Sequence, residues 1–439
     1  MEDLGTLTLP ALFANTVKNH GNHPAMALVG ETPMTYDDLD RKIKAVMAWL
    51  EKLGIKPGDK IAILSPSMPN WGISYYAITF MGAIVVPILT DFNADEIGNI
   101  IEHSEAKAIF ISESLKSKIC TIPPGQLPIR IKIENFSFLK NTTTLPDFDQ
   151  VAIPSKQYIV SESDLAAIIY TSGTTGKSKG VMLTHRNICF TARISARVQK
   201  VTEMDMLLSV LPLSHTYENT IGLIFPMSEG ACIYYLGKAP TQTVLLPALK
   251  EIKPTVMLTV PLIIEKIFRS KIKPKFTRNI LLRILIHIPS VRKKLNLVAG
   301  KKLMETFGGE LKFFGIGGAK LNKTVERFLI EAKFPYAIGY GLTETSPLLA
   351  GTNPQTFRYQ STGPAIEGIE LIIHNPDEYT GEGEIWAKGP NVMLGYYKEP
   401  GLTKEVLTPD GWLKTGDLGM FDKDGYLYIK GRLKNMIVR

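Results

Sequence analysis

The segment Tyr170-Thr-Ser-Gly-Thr-Thr-Gly-Lys-Ser-Lys-Gly180 gathers three glycines, five serine or threonine hydroxyls and two lysines within eleven residues. Those residue types suit a cradle for polyphosphate. Gly173 and Gly176 let the backbone approach without Cβ obstruction. Successive N–H groups and the hydroxyls of Thr171, Ser172, Thr174 and Thr175 donate to phosphate oxygens, and Lys177 and Lys179 supply positive charge. The run Gly176-Lys177-Ser178 imitates the end of a Walker loop, but that motif needs a glycine five residues earlier, where Thr171 stands. Val181–Thr184 also reads as a strand, whereas a Walker loop opens a helix. The plain alternative, a polar surface loop or linker, accounts less well for these residue types.

Five more groupings follow along the chain. Leu211-Pro-Leu-Ser-His-Thr-Tyr-Glu218 puts His215 just past a strand end. Gly315-Ile-Gly-Gly-Ala319 permits close backbone approach at Gly317 and Gly318. Ile338-Gly-Tyr-Gly-Leu-Thr-Glu-Thr345 places Gly339, Tyr340, Thr343 and Glu344 at one loop. Trp412-Leu-Lys-Thr-Gly-Asp417 and Ile429-Lys-Gly-Arg-Leu-Lys434 supply a carboxylate, Arg432 and Lys434. Singly, each has a plain structural reading: a lone histidine, a Gly-Gly turn, a capping Asp417, a surface run of charge.

The elements that position them follow from texture. Apolar runs at Met206–Leu211, Val256–Val260, Lys312–Ile316 and Tyr336–Ile338, each followed by a turn or helix start, predict an α/β architecture with mainly parallel sheets. After about residue 360, short strands between Asn-Pro, Gly-Glu-Gly and Asp-Gly turns predict a small antiparallel sheet or barrel. Residues 120–160 read as an irregular excursion. The uncharged stretch 61–90 is broken by Pro66, Pro69, Gly72, Gly82 and Pro87, so it parses as strand, helix and strand rather than a membrane span.

Composition narrows the class. A 45% hydrophobic and 21% charged chain of 439 residues can bury several cores, which excludes a disordered or fibrous protein. Cys120, Cys189 and Cys232 lie far apart, without metal-ligand spacing or a paired framework. The N-terminus lacks the basic and apolar segments of a signal peptide. These features predict a cytoplasmic protein. Charge is uneven: Lys266–Met304 carries twelve Lys or Arg and no Asp or Glu, so the net +8 leaves 8 − 12 = −4 for the rest. Basic heads around the apolar Ile280–Ile288 suit either peripheral contact with the anionic inner face of a membrane through Lys266–Lys302, or a solvated face around a core helix. No reading motif accompanies the charge, so nucleic acid is not an expected partner.

Together and in this order, the motifs closely resemble the adenylate-forming superfamily of acyl-CoA synthetases, adenylation domains and luciferases. The resemblance runs from about residue 10 to the last residue. Leu-Pro-Leu-Ser-His-Thr-Tyr-Glu and Gly-Arg-Leu-Lys-Asn-Met-Ile-Val look most like long-chain fatty-acid–CoA ligases. The resemblance implies a large adenylation domain over residues 1–432, built of two mainly parallel sheets flanked by helices, with a small antiparallel β-barrel-like subdomain at about 360–432. It implies that ATP and a medium- or long-chain fatty acid give acyl-AMP and pyrophosphate, after which the thiol of CoA displaces AMP.

By matching position, Thr171–Lys179 would hold the β- and γ-phosphates. Glu344, helped by Thr171, would coordinate Mg²⁺. Thr343 would bond the α-phosphate and Tyr340 would pack on adenine, with Gly339 beside it. Asp417 would accept from both ribose hydroxyls, and Arg432 would contact ribose or phosphate. His215 would border the acyl carboxylate, and Gly317 and Gly318 would line the junction of adenine and acyl pockets.

Two departures qualify the resemblance. The chain stops at Arg439, shortly past the hinge lysine Lys434, where relatives continue into a further domain that carries a catalytic lysine and part of the CoA site. Residues 433–439 are therefore expected to begin a hinge, and the 439 residues to bind Mg·ATP while making acyl-CoA very poorly. Val438 stands where some relatives have lysine, and Asn219 where some long-chain members carry a gating tryptophan, so neither role is expected here. The competing readings are an acyl- or aryl-AMP ligase that loads a carrier protein, and a non-catalytic, membrane-associated relic of the fold.

Overall fold

The computed structural model describes residues 4–139, 158–171, 178–274 and 285–433. Among these, twenty strands form three sheets. The first sheet is assembled from β1 (Pro24–Leu28), β2 (Met34–Thr35), β10 (Met206–Ser209), β11 (Cys232–Tyr235), β12 (Val256–Thr259), β13 (Phe313–Ile316), β14 (Tyr336–Gly341) and β15 (Leu348–Gly351). Its order is β15-β14-β13-β12-β10-β11-β1-β2, parallel except at its two edges. The inner strands are buried on both faces, which is why they read as unbroken apolar runs.

The second sheet contains β3 (Lys60–Leu64), β4 (Ile84–Pro87), β5 (Ala108–Ile111), β6 (Ile129–Lys132), β7 (Ser137–Phe138), β8 (Leu165–Thr171), β9 (Lys179–Thr184) and β18 (Gly395–Tyr396). Its order is β18-β9-β8-β4-β3-β5-β6-β7, parallel through the middle. The uncharged stretch folds as predicted into β3, helix Pro69–Phe80 and β4, and eleven of the twelve helix residues are buried. No described helix is long and apolar enough to cross a membrane.

The third sheet is antiparallel, ordered β16 (Glu370–His374), β17 (Gly383–Lys388), β19 (Leu413–Phe421), β20 (Leu427–Arg432). Among the described strands it is open, with β16 and β20 at its edges, rather than closed into the barrel-like form expected for 360–432. The strand expected over Met206–Leu211 stops at Ser209, and the chain then turns toward His215. In the 120–160 excursion, β6 and β7 add two short strands to the second sheet's edge.

Candidate active site

The phosphate-loop segment sits between two antiparallel strands. Thr171, at the end of β8, is paired directly with Lys179, at the start of β9. The predicted residues Ser172, Gly173, Thr174, Thr175, Gly176 and Lys177 lie outside the described residues, as does Lys434. Their flanks are nonetheless fixed. A Cβ on Gly180 would lie 2.8 Å from Ile168 and 3.1 Å from the Tyr170 ring, so a bare backbone is required where the strands leave the loop. The Tyr170 hydroxyl lies 2.8 Å from His103 Nδ1 beneath that root. After β9, Thr184 and Asn187 form a reciprocal capping box that starts helix His185–Val198. The Asn187 amide then donates to the carbonyls of Pro390 and Val392, at 2.7 and 2.9 Å.

That bond brings residues 390–396 against the loop carrying Glu344. Asn391, fully buried, donates to the carbonyls of Thr345 and Leu348 at 2.8 and 2.9 Å, and its own carbonyl accepts from Ser346 Oγ at 3.0 Å. The Met393 N–H donates to the Glu344 carbonyl. Within the loop, Pro347 O accepts from the Leu342 N–H at 3.0 Å and from Thr345 Oγ1 at 2.5 Å. The same carbonyl lies 1.7 Å from where a Cβ on Gly341 would stand. Only glycine fits there. The turn leaves Thr343 and Glu344 on one short 3₁₀ segment after β14.

Tyr396, which belongs to none of the sequence motifs, donates its hydroxyl to Glu344 Oε1 at 2.8 Å. Lys179 Nζ lies over the same ring, 5.0 Å from its centre. Burial, then the neighbouring Glu344, raises the Tyr396 pKa and keeps the phenol a donor.

A cleft of about 540 Å³ opens beside this loop, lined by Gly318, Lys320, Gly339, Tyr340, Ser361, Asp417 and Arg432 among others. Asp417 is 5% exposed. Its Oδ2 accepts from the Tyr340 hydroxyl and its Oδ1 from Arg432 Nε, both at 2.9 Å. β19 pairs with β20 so that Asp417 and Arg432 stand opposite each other.

On the other side of β14 a narrow apolar pocket of about 50 Å³ is lined by Tyr217, Ile221, Phe225, Leu258 and Gly315 among others. Ile338 and Gly339 line both spaces. The glycine segment is divided between them. Gly318 faces the cleft, while Cβ atoms on Gly315 and Gly317 would lie 3.1 and 3.0 Å from Tyr217, so Gly317 belongs to the apolar side. Tyr217 begins a π-helix, Tyr217–Ile224. Behind it, Glu218 is buried, accepts from Ser209 Oγ at 2.5 Å, and is pushed up to about 8 by desolvation against that bond. Such a carboxyl is mostly neutral at pH 7. His215, exposed after the turn that follows β10, has its pKa lowered by the desolvating protein around it, with Asp91 acting in the opposite sense.

Sequence motifs marked Thr171, Lys179, Thr343, Glu344, Tyr340, Asp417 and Arg432. The fold joins Lys179 to Glu344 through Tyr396, and Tyr340 to Arg432 through Asp417. Tyr396, Asn391 and Gly341 carry supporting roles that no motif announced. Gly341 had a usable signal, since it lies within the quoted Gly-Tyr-Gly run.

Two mainly parallel sheets with an antiparallel third, and a hydroxyl-, carboxylate- and lysine-bearing cleft between the first and the third, define an adenylation-type α/β protein. The chain belongs to the AMP-binding enzyme family, whose match spans residues 13–397. It is 28% identical to a long-chain-fatty-acid–CoA ligase, ACSBG2, of Xenopus laevis, covering 99% of this chain and 64% of that protein. It is 30% identical to the peroxisomal long chain acyl-CoA synthetase 6 of Arabidopsis thaliana, covering 92% of this chain and 62% of the relative. The chain thus spans a little under two thirds of these relatives' lengths. Among solved structures, the N-terminal domain of FACL13 from Mycobacterium tuberculosis aligns at TM-score 0.79 and 23% identity, covering 97% of this chain and 99% of that one. ATP-bound MatB from Rhodopseudomonas palustris aligns at TM-score 0.79 and 24% identity, covering 97% and 79%. Both likenesses are likenesses of fold.

Proposed function

We propose that this chain binds Mg·ATP and a fatty acid and forms the acyl-adenylate, and that the whole protein passes the acyl group to CoA as an AMP-forming long-chain fatty-acid–CoA ligase. The observation that carries this reading is the shared wall at Gly339: a cleft with a buried carboxylate and a guanidinium on one side, an apolar pocket on the other. An adenylate and an acyl group must be covalently joined at such a boundary. The names of the fatty-acid-activating relatives support the same acid class.

The proposed roles carry the family resemblance onto the observed hydrogen bonds. Asp417 accepts from the ribose hydroxyls, as its two oxygens have lone pairs beyond those used by Tyr340 and Arg432. Tyr340 packs on the base, and Arg432 reaches ribose or phosphate. Lys179, with Thr171 and the loop residues through Lys177, holds the β- and γ-phosphates, and Thr343 holds the α-phosphate. His215 borders the acyl carboxylate. A carboxylate oxygen then bonds to the α-phosphorus while the bond to the bridging oxygen breaks, and pyrophosphate leaves toward Lys177 and Lys179.

The donor set fits Mg²⁺. Among the described residues no cluster of three His, Cys, Asp or Glu could hold a metal. By the family resemblance, Glu344 and the Thr171 hydroxyl, both oxygen donors, would hold the ion together with phosphate oxygens, the usual arrangement for magnesium. When bound, the ion withdraws charge from those oxygens. We also assign residues 1–432 to one adenylation domain, with 360–432 as its β-rich part and 433–439 as the start of a hinge through Lys434.

Calorimetry on the 439-residue chain tests the reading: one equivalent of Mg·ATP should bind, and a non-hydrolysable palmitoyl- or octanoyl-adenylate should bind more tightly than benzoyl or aminoacyl counterparts. No nucleotide binding at millimolar ATP would remove it. Preference for the benzoyl or aminoacyl compound would favour the aryl or carrier-loading alternative.

The cytoplasmic assignment and contact with an anionic inner membrane face belong to the same proposal. Leu262, Ile288 and Val298 are 73%, 46% and 58% exposed beside the basic block. Lys293, Lys294, Lys301 and Lys302 are exposed on helix Pro289–Thr306, whereas Arg292 is held by Glu331. At roughly 1 kcal/mol per basic residue near the surface, reversing those four lysines to glutamate should release the chain from phosphatidylserine-containing vesicles more than tenfold. Equal sedimentation of variant and parent would make the block a solvated face.

A further inference from the structure

Tyr396 joins two groups that the nucleotide reading needs but that come from different sheets. Its hydroxyl donates to Glu344 Oε1 at 2.8 Å, and Glu344 belongs to the loop after β14 of the first sheet. Its ring lies under Lys179 Nζ at 5.0 Å, and Lys179 opens β9 of the second sheet. The tyrosine itself is held from three sides. It pairs with Val181 across the β18–β9 ladder, its N–H donates to Thr403 Oγ1 at 2.9 Å, and it is 6% exposed. Gly395 before it has φ +141°, and a Cβ there would lie 2.6 Å from the Thr403 methyl, so the backbone at this point is fixed by close packing.

A side chain placed in this way does not simply fill space. A phenylalanine would fill the same volume. What the hydroxyl adds is a direction for one carboxylate oxygen, which leaves the other oxygen of Glu344 for a cation. What the ring adds is a face for the lysine ammonium, attracted by the ring quadrupole.

We propose that Tyr396 is a positioning residue for Mg·ATP: through its hydroxyl it orients Glu344 toward the metal, and through its ring it holds Lys179 toward the phosphates. This rests on the proposed nucleotide site and adds to it a residue that touches neither metal nor nucleotide. The two contributions are separable, because one depends on metal and the other on charge.

Calorimetry with Mg·ATP and with ATP in excess EDTA reads them apart. Tyr396→Phe keeps the ring and its packing, so the expected result is an approximately tenfold weaker Mg·ATP affinity, with metal-free ATP bound within twofold of the parent. In a Glu344→Gln background the same change should cost less than twofold, because the carboxylate it orients has gone. An unchanged Mg·ATP affinity in Tyr396→Phe overturns the proposal. So does an equal loss with and without metal, or a full loss persisting in the Glu344→Gln background, since each gives the hydroxyl a role independent of the metal ligand. A parent chain that binds no nucleotide would overturn the site reading itself, and this inference with it. A parent that binds normally and a phenylalanine variant that binds Mg·ATP just as well overturn only the inference.

Discussion

Asp417→Ala is expected to lower the affinity of the chain for AMP and for Mg·ATP by two to three orders of magnitude. The carboxylate is 5% exposed and already committed to two charge-assisted or hydroxyl bonds, to Arg432 and Tyr340. Removing it takes away the proposed ribose acceptor. It also leaves a guanidinium and a buried phenol without their partner in the cleft. Hydrogen bonds to charged groups contribute about 1.5–3 kcal/mol each; losing two toward the ribose removes about 3–6 kcal/mol, and the lower part of that range, about 3–4 kcal/mol, corresponds to roughly 100- to 1,000-fold in the dissociation constant. Asp417→Asn keeps the shape and one acceptor oxygen, and should fall between parent and alanine. Calorimetry with AMP is the cleanest measurement, because AMP makes no demand on the phosphate loop or the metal. A loss below tenfold would place the ribose elsewhere.

Gly341→Ala should be the most damaging single methyl in the molecule's active cleft. The new Cβ would stand 1.7 Å from Pro347 O and 2.6 Å from its carbonyl carbon, distances no real side chain tolerates. Neither obstructing atom is the end of a flexible chain. The same carbonyl accepts from Leu342 N–H and Thr345 Oγ1, so moving it dismantles the turn that presents Thr343 and Glu344. Overpacking of this kind costs about 1–3 kcal/mol and sometimes more. We expect a lower unfolding temperature together with loss of the Mg-dependent part of ATP binding. Gly401→Ala is the matched control, since nothing lies within 4 Å of a Cβ there and its φ is not in the left-handed region. A Gly341→Ala variant that unfolds with the parent and binds Mg·ATP as the parent does would show that the turn tolerates the methyl.

Much of this site is legible in the sequence, and the legible parts share a reason. Val181–Thr184 carries the apolar pattern of a strand, which rules out the Walker arrangement, and the fold places Thr171 and Lys179 face to face on an antiparallel pair. Parallel strands buried on both faces announce themselves as short apolar runs, so β10, β12, β13 and β14 were each foreseeable to within a few residues. Pairing partners were not. β9 lies between β8, a few residues upstream, and β18, over two hundred residues downstream, and nothing local in Gly395-Tyr396 says where it docks. Tyr396 was missed for that reason. The Asp417–Arg432 pair lies across a hairpin with an Asp-Gly turn, yet a register shift between Leu418 and Gly419 displaces the count along the strands, and a single inserted residue of that kind leaves no compositional trace.

The strand carrying Arg432 has one further consequence. β20 is an edge strand whose only buried residue is Leu427, and its last three residues are exposed. Its outer half is held by the ladder to β19, by the Lys320 ammonium on Ile429 O and by Arg432 on Asp417. With so little apolar surface to anchor it, this segment is expected to open at a small fraction of the global unfolding free energy, with its amides among the first to exchange with solvent. A ligand that needs Asp417 and Arg432 in place therefore slows that exchange. Linkage makes the relation reciprocal: whatever contact clamps β20 from outside tightens the hold on a ligand at the proposed ribose site by the same free energy.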